Sequence, residues 1–198
     1  MTSADFGGGG IIIAPLGIEA WALRRGNHSL RVERCGMGPE RARKAARRLR
    51  TQPARAVAVG GLCGALDPDL RPGDLFVPDE LHGQDLTPVC VDAAPLRRLL
   101  EKRGFRVRGG RLLGVDHGVS GRERNALRES GAAAIDMESP WLAAAAGTRP
   151  FVVLRVVVDG PRHELVRWGT PLRGWRALAR LREASVALGE WADRAQPA

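Results

Sequence analysis

Along the chain, short runs of β-branched and aliphatic residues alternate with longer stretches in which apolar residues recur every three or four positions. The first run, Ile11 to Ala14, lies between Gly10 and Pro15 and reads as a buried strand, because β-branched side chains suit a packed, pleated surface and Gly and Pro punctuate it. Leu30 to Arg34 alternates weakly and reads as a second strand, followed by the turn Cys35-Gly36-Met37-Gly38 and a helix that opens at Pro39 and runs to Arg50. Ala56 to Val59 is the next buried strand, with Gly60 to Leu66 read as the loop behind it, and Asp74 to Val77 is a further strand after the Pro72-Gly73 turn. Gly83 to Val89 reads as irregular. Pro95 to Arg103 predicts a helix, Val107 to Val115 a strand broken by Gly109 and Gly110, and Glu123 to Ser130 a short helix. Ala132 to Ile135 is apolar and leads into Asp136-Met137-Glu138-Ser139, after which Trp141 to Ala146 predicts a tightly packed helix. Phe151 to Val158 is the clearest central strand and ends at Asp159. Trp175, Leu178, Leu181, Leu188 and Trp191 stand near helical spacing in a C-terminal helix. Such alternation predicts an α/β fold: residues 11–194 as one domain with a central mixed β-sheet flanked by helices, behind a flexible leader at residues 1–10. No internal repeat is found.

Composition narrows this picture. A chain of 198 residues with 44% hydrophobic content can bury one sizeable core and leaves little for a second. The net charge of +9 and pI of about 11.1 would suit an anionic partner. The cations are nearly all arginines spread along the chain, and the one dense run, Arg41 to Arg50, has helical composition. A solvated helix face is the plainer account of it, and no nucleic-acid partner is expected. Three cysteines without C-x-x-C spacing argue against a disulfide framework or zinc knuckle and for a reducing, cytoplasmic setting. No stretch approaches the roughly 20 apolar residues that span a bilayer, and the N-terminus lacks a signal-peptide pattern. No cluster has metal-ligand spacing, so neither metal nor other cofactor is expected.

In an α/β sheet, ligands gather at the carboxyl ends of strands. Four places qualify: Glu19, the Gly60 to Leu66 segment, Asp136 to Glu138, and Asp159. Taken singly each has a plain explanation, since a lone carboxylate at a strand end is commonly a helix cap or a salt-bridge partner, and a glycine loop is commonly only a turn. Their conjunction is harder to dismiss.

At these residues the chain resembles a family. Val59-Gly-Gly-Leu-Cys-Gly-Ala-Leu66, followed by Leu70-Arg-Pro-Gly-Asp-Leu-Phe-Val77, resembles the glycine loop and Gly-Asp strand of purine nucleoside phosphorylases and methylthioadenosine/S-adenosylhomocysteine nucleosidases. Ile135-Asp-Met-Glu-Ser139 followed by Phe151 to Asp159 resembles the ribose-binding and catalytic motif of the same superfamily, and the likeness covers about Ile11 to Glu164. Within it, the Gly17 to Ala20 element, the Cys35 to Pro39 turn and the Asp159 to Arg167 tail look most like hopanoid-associated phosphorylases, which are implicated in removing adenine from adenosylhopane.

The resemblance implies cleavage of a purine N-glycosidic bond, with release of adenine. Asp159 matches the acid that protonates purine N7, a role that a raised pKa would favour. Glu19 matches the nucleosidase carboxylate that activates water, Glu138 the acceptor of the ribose hydroxyls, and Met137 the apolar contact under the sugar, although packing alone would also explain Met137. Arg155 is expected to orient this region or to pair with a carboxylate, while Leu62, Cys63 and Gly64 are expected beside the substrate. Gly118 falls where an aromatic side chain stacks on adenine, leaving the backbone of Val119 to read the base edge, and His117 is a further loop candidate. Val59 and Leu62 stand where hexameric phosphorylases place an Arg and a Ser near phosphate, and their Gly-Asp-Pro-x-Arg element is missing. Hydrolysis is therefore expected over phosphorolysis. An anion site on the backbone of Cys35, Gly36 and Gly38 would keep phosphate open as a co-substrate. The partner implied is a small purine nucleoside, in a homodimer, with peripheral membrane association if the substrate is a lipid. A non-catalytic nucleoside- or nucleic-acid-binding protein is the competing reading, and the three carboxylates count against it.

Overall fold

A computed structural model describes residues 9–161 and 170–195. Most of the expected leader, and most of the tail between Asp159 and Arg167, lie outside the described residues. In chain order the elements are β1 (Ile11–Ala14), α1 (Gly17–Gly26), β2 (Arg31–Arg34), α2 (Pro39–Arg50), β3 (Val57–Ala65), β4 (Leu75–Phe76), β5 (Glu80–His82) and β6 (Val89–Cys90). They continue as α3 (Ala94–Lys102), β7 (Val107–Arg108), β8 (Arg111–Gly114), α4 (Gly121–Glu129), β9 (Ala134–Asp136), α5 (Ser139–Leu142), a 3-10 turn (Ala143–Ala145), β10 (Phe151–Asp159) and α6 (Thr170–Arg194).

The described strands form one mixed sheet around two nine-residue parallel strands, β3 and β10. Their β-branched stretches, Val57 to Val59 and Val152 to Val157, are buried throughout, with Arg155 the one charged residue among them. Strand β1 lies parallel on the other edge of β3 and carries β2. Past the end of β1, the vacated edge of β3 is taken by β9, which runs antiparallel. Strands β8, β5 and β6 continue outward from β9, while β4 and β7 continue from β10. Helix α6 packs across α1, β3 and β10, burying Leu178, Leu181, Leu188 and Trp191 and leaving Trp175 exposed. Each fully buried Leu, Val or Ile contributes on the order of 1.5–3 kcal/mol.

Three departures from expectation bear on the site. The segment read as a glycine loop is the second half of β3, which keeps β10 on one side and gains β9 on the other. Its glycines serve space rather than turning: a Cβ on Gly61 would sit 2.4 Å from the Arg155 guanidinium. Helix α1 was not expected; it starts where Glu19, at its third position, accepts the N–H of Leu16 at 2.7 Å and so satisfies a donor at the helix start. The helix expected from Trp141 to Ala146 is one α-turn from Ser139 and a 3-10 turn, ended at Gly147, whose φ of 63° suits a residue without a side chain.

Candidate functional site

Strand register does much of the assembly. Because β10 is parallel to β3, Arg155 stands opposite Gly61 and Val157 opposite Cys63, and a shift in register then sets Asp159 opposite Gly64. Strand β1 stops at Ala14, so the chain turns through Pro15 into α1 and brings Glu19 over the edge of β3 that β1 has left, where it accepts the Leu62 N–H. Strand β9 runs back along that edge and delivers Asp136 and Glu138 to the same place.

Arg155 is the centre of this arrangement. It is fully buried, it ion-pairs with Asp136, and one nitrogen lies 3.7 Å from Glu138. Its Nε and Nη2 donate to the Ser139 hydroxyl at 3.2 and 2.9 Å, and that hydroxyl donates in turn to Asp136. Asp136 also accepts the backbone N–H groups of Glu138 and Ser139, fixing the start of α5. A buried guanidinium is costly unless paired, so these partners hold it in one orientation. Glu19 accepts from Leu16 through one oxygen and from Leu62 N–H at 2.8 Å through the other. Burial raises its pKa against the pull of Arg155 and the two amides. Glu138 accepts the Gly38 N–H at 2.9 Å. Burial, with repulsion from Asp136 and Glu19 added, pushes it up to about 7 although Arg155 and Gly38 pull the other way.

Asp159 ends β10 and is 4% exposed. Its Oδ2 accepts from Arg124 at 2.6 Å, and its Oδ1 lies over Gly64, 2.8 Å from where a Cβ there would stand. Arg124 is 3% exposed and donates also to the carbonyls of Ala65 at 2.8 Å and Val119 at 3.0 Å.

These groups share one cavity of about 700 Å³. On its wall stand Glu19, Leu62, Cys63, Gly64, Gly118, Val119, Met137, Glu138 and Asp159, all singled out in the sequence, together with His117. His117 is exposed and bridges Asp116 and Glu123, which raise its pKa. Arg155 does not line the cavity; it sits beneath it and holds the carboxylates that do. The turn at Cys35 to Gly38 spends its amides inside the protein: Cys35 donates to Ala14, Gly36 to Pro15 and Gly38 to Glu138. An anion site on those three N–H groups therefore loses its donors. Burial pushes the Cys35 thiol up to about 12 and the Cys63 thiol up as well, which disfavours the thiolate at both. Among the described residues, no group of three or more His, Cys, Asp or Glu is placed to hold a metal ion. Arg124 has no signal in the sequence, because nothing local separates an arginine that docks a polar helix from a solvated one, while Ser139, Ile18, Trp175 and Leu178 stand there only as members of a motif or a helix, with no place in the site.

A sequence profile described as the phosphorylase superfamily matches residues 15–183. No curated protein matches the chain. Among solved structures, the fold is similar to 5'-methylthioadenosine/S-adenosyl homocysteine nucleosidase of Campylobacter jejuni, at 15% identity, with a TM-score of 0.78, covering 92% of this chain and 99% of that one. The Neisseria meningitidis nucleosidase in complex with methylthio-immucillin-A is 17% identical, with a TM-score of 0.76 and coverage of 94% and 99%. Futalosine hydrolase of Helicobacter pylori is 16% identical, with a TM-score of 0.75 and coverage of 96% and 98%. At such identities the structural likeness speaks for the fold, and the profile, which spans most of the chain, speaks for the family. The chain belongs to the phosphorylase superfamily.

Proposed function

We propose that this protein hydrolyses the N-glycosidic bond of a purine nucleoside and releases the free base. The observation that carries the reading is the meeting of Glu19, Glu138 and Asp159 on the wall of one cavity, although they stand far apart in sequence. Cleaving a ribosyl C–N bond builds positive charge on the sugar and negative charge on the base. In the proposed reaction Asp159 gives its proton to the purine as the C–N electron pair moves onto the base. Glu19 takes a proton from water, whose oxygen bonds to the anomeric carbon, and the two protons balance when Glu19 returns one to solvent and Asp159 regains one. Glu138 accepts the ribose hydroxyls, and Met137 lies against the sugar.

Water is favoured over phosphate by the charges on the cavity wall. Val59, where a phosphate-binding arginine would stand, is buried in the core, and Leu62 replaces the serine. Of the described lining residues only Arg124 carries a fixed positive charge, and it is bound to Asp159. A phosphate dianion would meet no other fixed cation among the described residues of the wall. The rim of the cavity is apolar: Leu16, Ile18, Met37 and Trp175 line it while 38%, 47%, 52% and 61% exposed. That rim suits an adenosine with a large apolar 5′ substituent, as in adenosylhopane.

The test is adenine release from a panel of adenosine derivatives with and without phosphate, following the sugar product. Release without phosphate, giving free sugar and abolished in Glu19→Gln, is the expected result, since water needs a carboxylate base. Strict phosphate dependence with accumulation of a ribose 1-phosphate would overturn the hydrolytic reading.

A further inference from the structure

We propose that Arg124 is the positioning residue for Asp159 and that it ties the loop beside the base to the group that protonates the base. This inference rests on the catalytic reading of Asp159 above. The observation behind it is a helix that docks by a charge. Of the nine residues of α4, Arg124 alone is buried. Apolar residues ordinarily do this work, because burying a guanidinium sacrifices its hydration and is tolerated only against well-placed acceptors.

Arg124 has three such acceptors, each from a different part of the site. The Asp159 carboxylate comes from the end of β10, the Ala65 carbonyl from the end of β3, and the Val119 carbonyl from the loop that forms the cavity wall next to Gly118. One planar, rigid fork thus fixes the carboxyl group, the strand end and the base-side loop in a common frame, which a lysine's single ammonium does not reproduce. Two further features fit. Gly64 has no Cβ, which leaves room for both members of the pair: Oδ1 of Asp159 and the Arg124 guanidinium lie 2.8 and 3.5 Å from where that Cβ would stand. Gly118 meets nothing within 4 Å of an added Cβ, so the loop is open at that point, and the bond from Arg124 to the neighbouring Val119 restrains it. Among the described residues the Arg124 Nε, buried at the cavity wall, has no hydrogen-bond partner, a cost borne inside the site.

A structural ion pair and a positioning pair differ in how their losses combine. The experiment compares Arg124→Met, Arg124→Lys, Asp159→Asn and the Arg124→Met/Asp159→Asn double variant by adenine release from 5′-methylthioadenosine and adenosine. Adenine affinity is measured by calorimetry, and the melting temperature of each variant is recorded. Arg124→Met is expected to lower kcat on the order of 10²-fold, the scale of a misplaced catalytic group, with KM changed far less. Arg124→Lys is expected to retain the fold without restoring kcat. Asp159→Asn is expected to lower kcat by about 10²-fold or more. In the double variant, which removes the guanidinium together with the carboxyl group it holds, the expected kcat equals that of Asp159→Asn alone, because a positioning residue has nothing left to position. Losses that multiply in the double variant, or full activity in Arg124→Lys, would overturn the role of Arg124 while leaving the glycosidase reading intact. A folded wild-type protein that neither binds adenine nor releases it from either nucleoside would overturn both.

Discussion

Glu138 illustrates how one carboxylate is fitted to a neutral hydrogen-bonding task. One oxygen accepts the Gly38 amide, the other lies 3.7 Å from Arg155, and the group still lines the cavity. A carboxylate so placed accepts hydrogen bonds from a diol, and an amide of the same shape offers one acceptor oxygen in place of two. Glu138→Gln is therefore expected to weaken kcat/KM for ribosides at least tenfold more than for the matching 2′-deoxyribosides, in line with the cost of leaving a charged-group hydrogen bond unmade, about 1.5–3 kcal/mol. Parallel assays of adenosine and 2′-deoxyadenosine check it. Equal losses on the two sugars would remove Glu138 from ribose recognition.

At the scale of the element, β3 decides whether the site can close on itself. Gly61 stands where Arg155 and Glu19 approach from β10 and α1, with an added Cβ 2.4 Å from one and 2.8 Å from the other. Neither neighbour is free to move, since Glu19 is held by two amides and Arg155 by Asp136 and Ser139. Gly61→Ala is expected to destabilise the protein by about 1–3 kcal/mol, the cost of overpacking a buried site. Gly118→Ala, in open space, is expected to stay within about 0.5 kcal/mol of wild type. Urea unfolding midpoints compare the two, and equal stability would show that β3 yields without strain. The same strand shows what was legible in the sequence. Val57 to Val59 announced itself through β-branched residues, as did Ile11 to Ile13 and Val152 to Val158. The continuation through Gly60, Gly61 and Gly64 was hidden, because glycine depresses strand propensity for the very reason it is needed here, the absence of a side chain. Helix α1 was hidden by glycines at both ends of a ten-residue segment. The carboxylates of the cavity were legible as strand-end residues and by family resemblance. Arg124 was not, because its difference from the other arginines of α4 lies wholly in tertiary contacts.

For the molecule as a whole, the charge of the site opposes the charge of the chain. The protein carries a net +9, yet around Arg155 the buried carboxylates Glu19, Asp136 and Glu138 outnumber their cation. Long-range attraction to the exterior arginines is screened within about 8–10 Å at ordinary salt, so the cluster answers to its own burial. Burial and its acidic neighbours lift Glu138 from the ordinary 4.5 to about 7, and burial lifts Glu19 in the same direction. A carboxyl group whose pKa is raised by folding keeps a proton in the native state that the unfolded chain has released. Across that window the native state binds more protons, and stability falls as pH rises. The contribution of Glu138 is thus full below 4.5 and is lost as pH passes about 7. Glu138→Gln, which cannot ionise, lacks this term. The expected outcome is that the urea midpoint of the ligand-free wild type falls more steeply than that of Glu138→Gln between about pH 5 and about pH 8, the two curves running parallel above that range. The difference between the curves cancels the titrating groups that do not interact with Glu138. A difference that is flat with pH, or that grows in the opposite direction, would mean that Arg155 and the Gly38 amide hold the carboxylate ionised throughout, and that Glu138 meets its substrate as a full anion at every working pH.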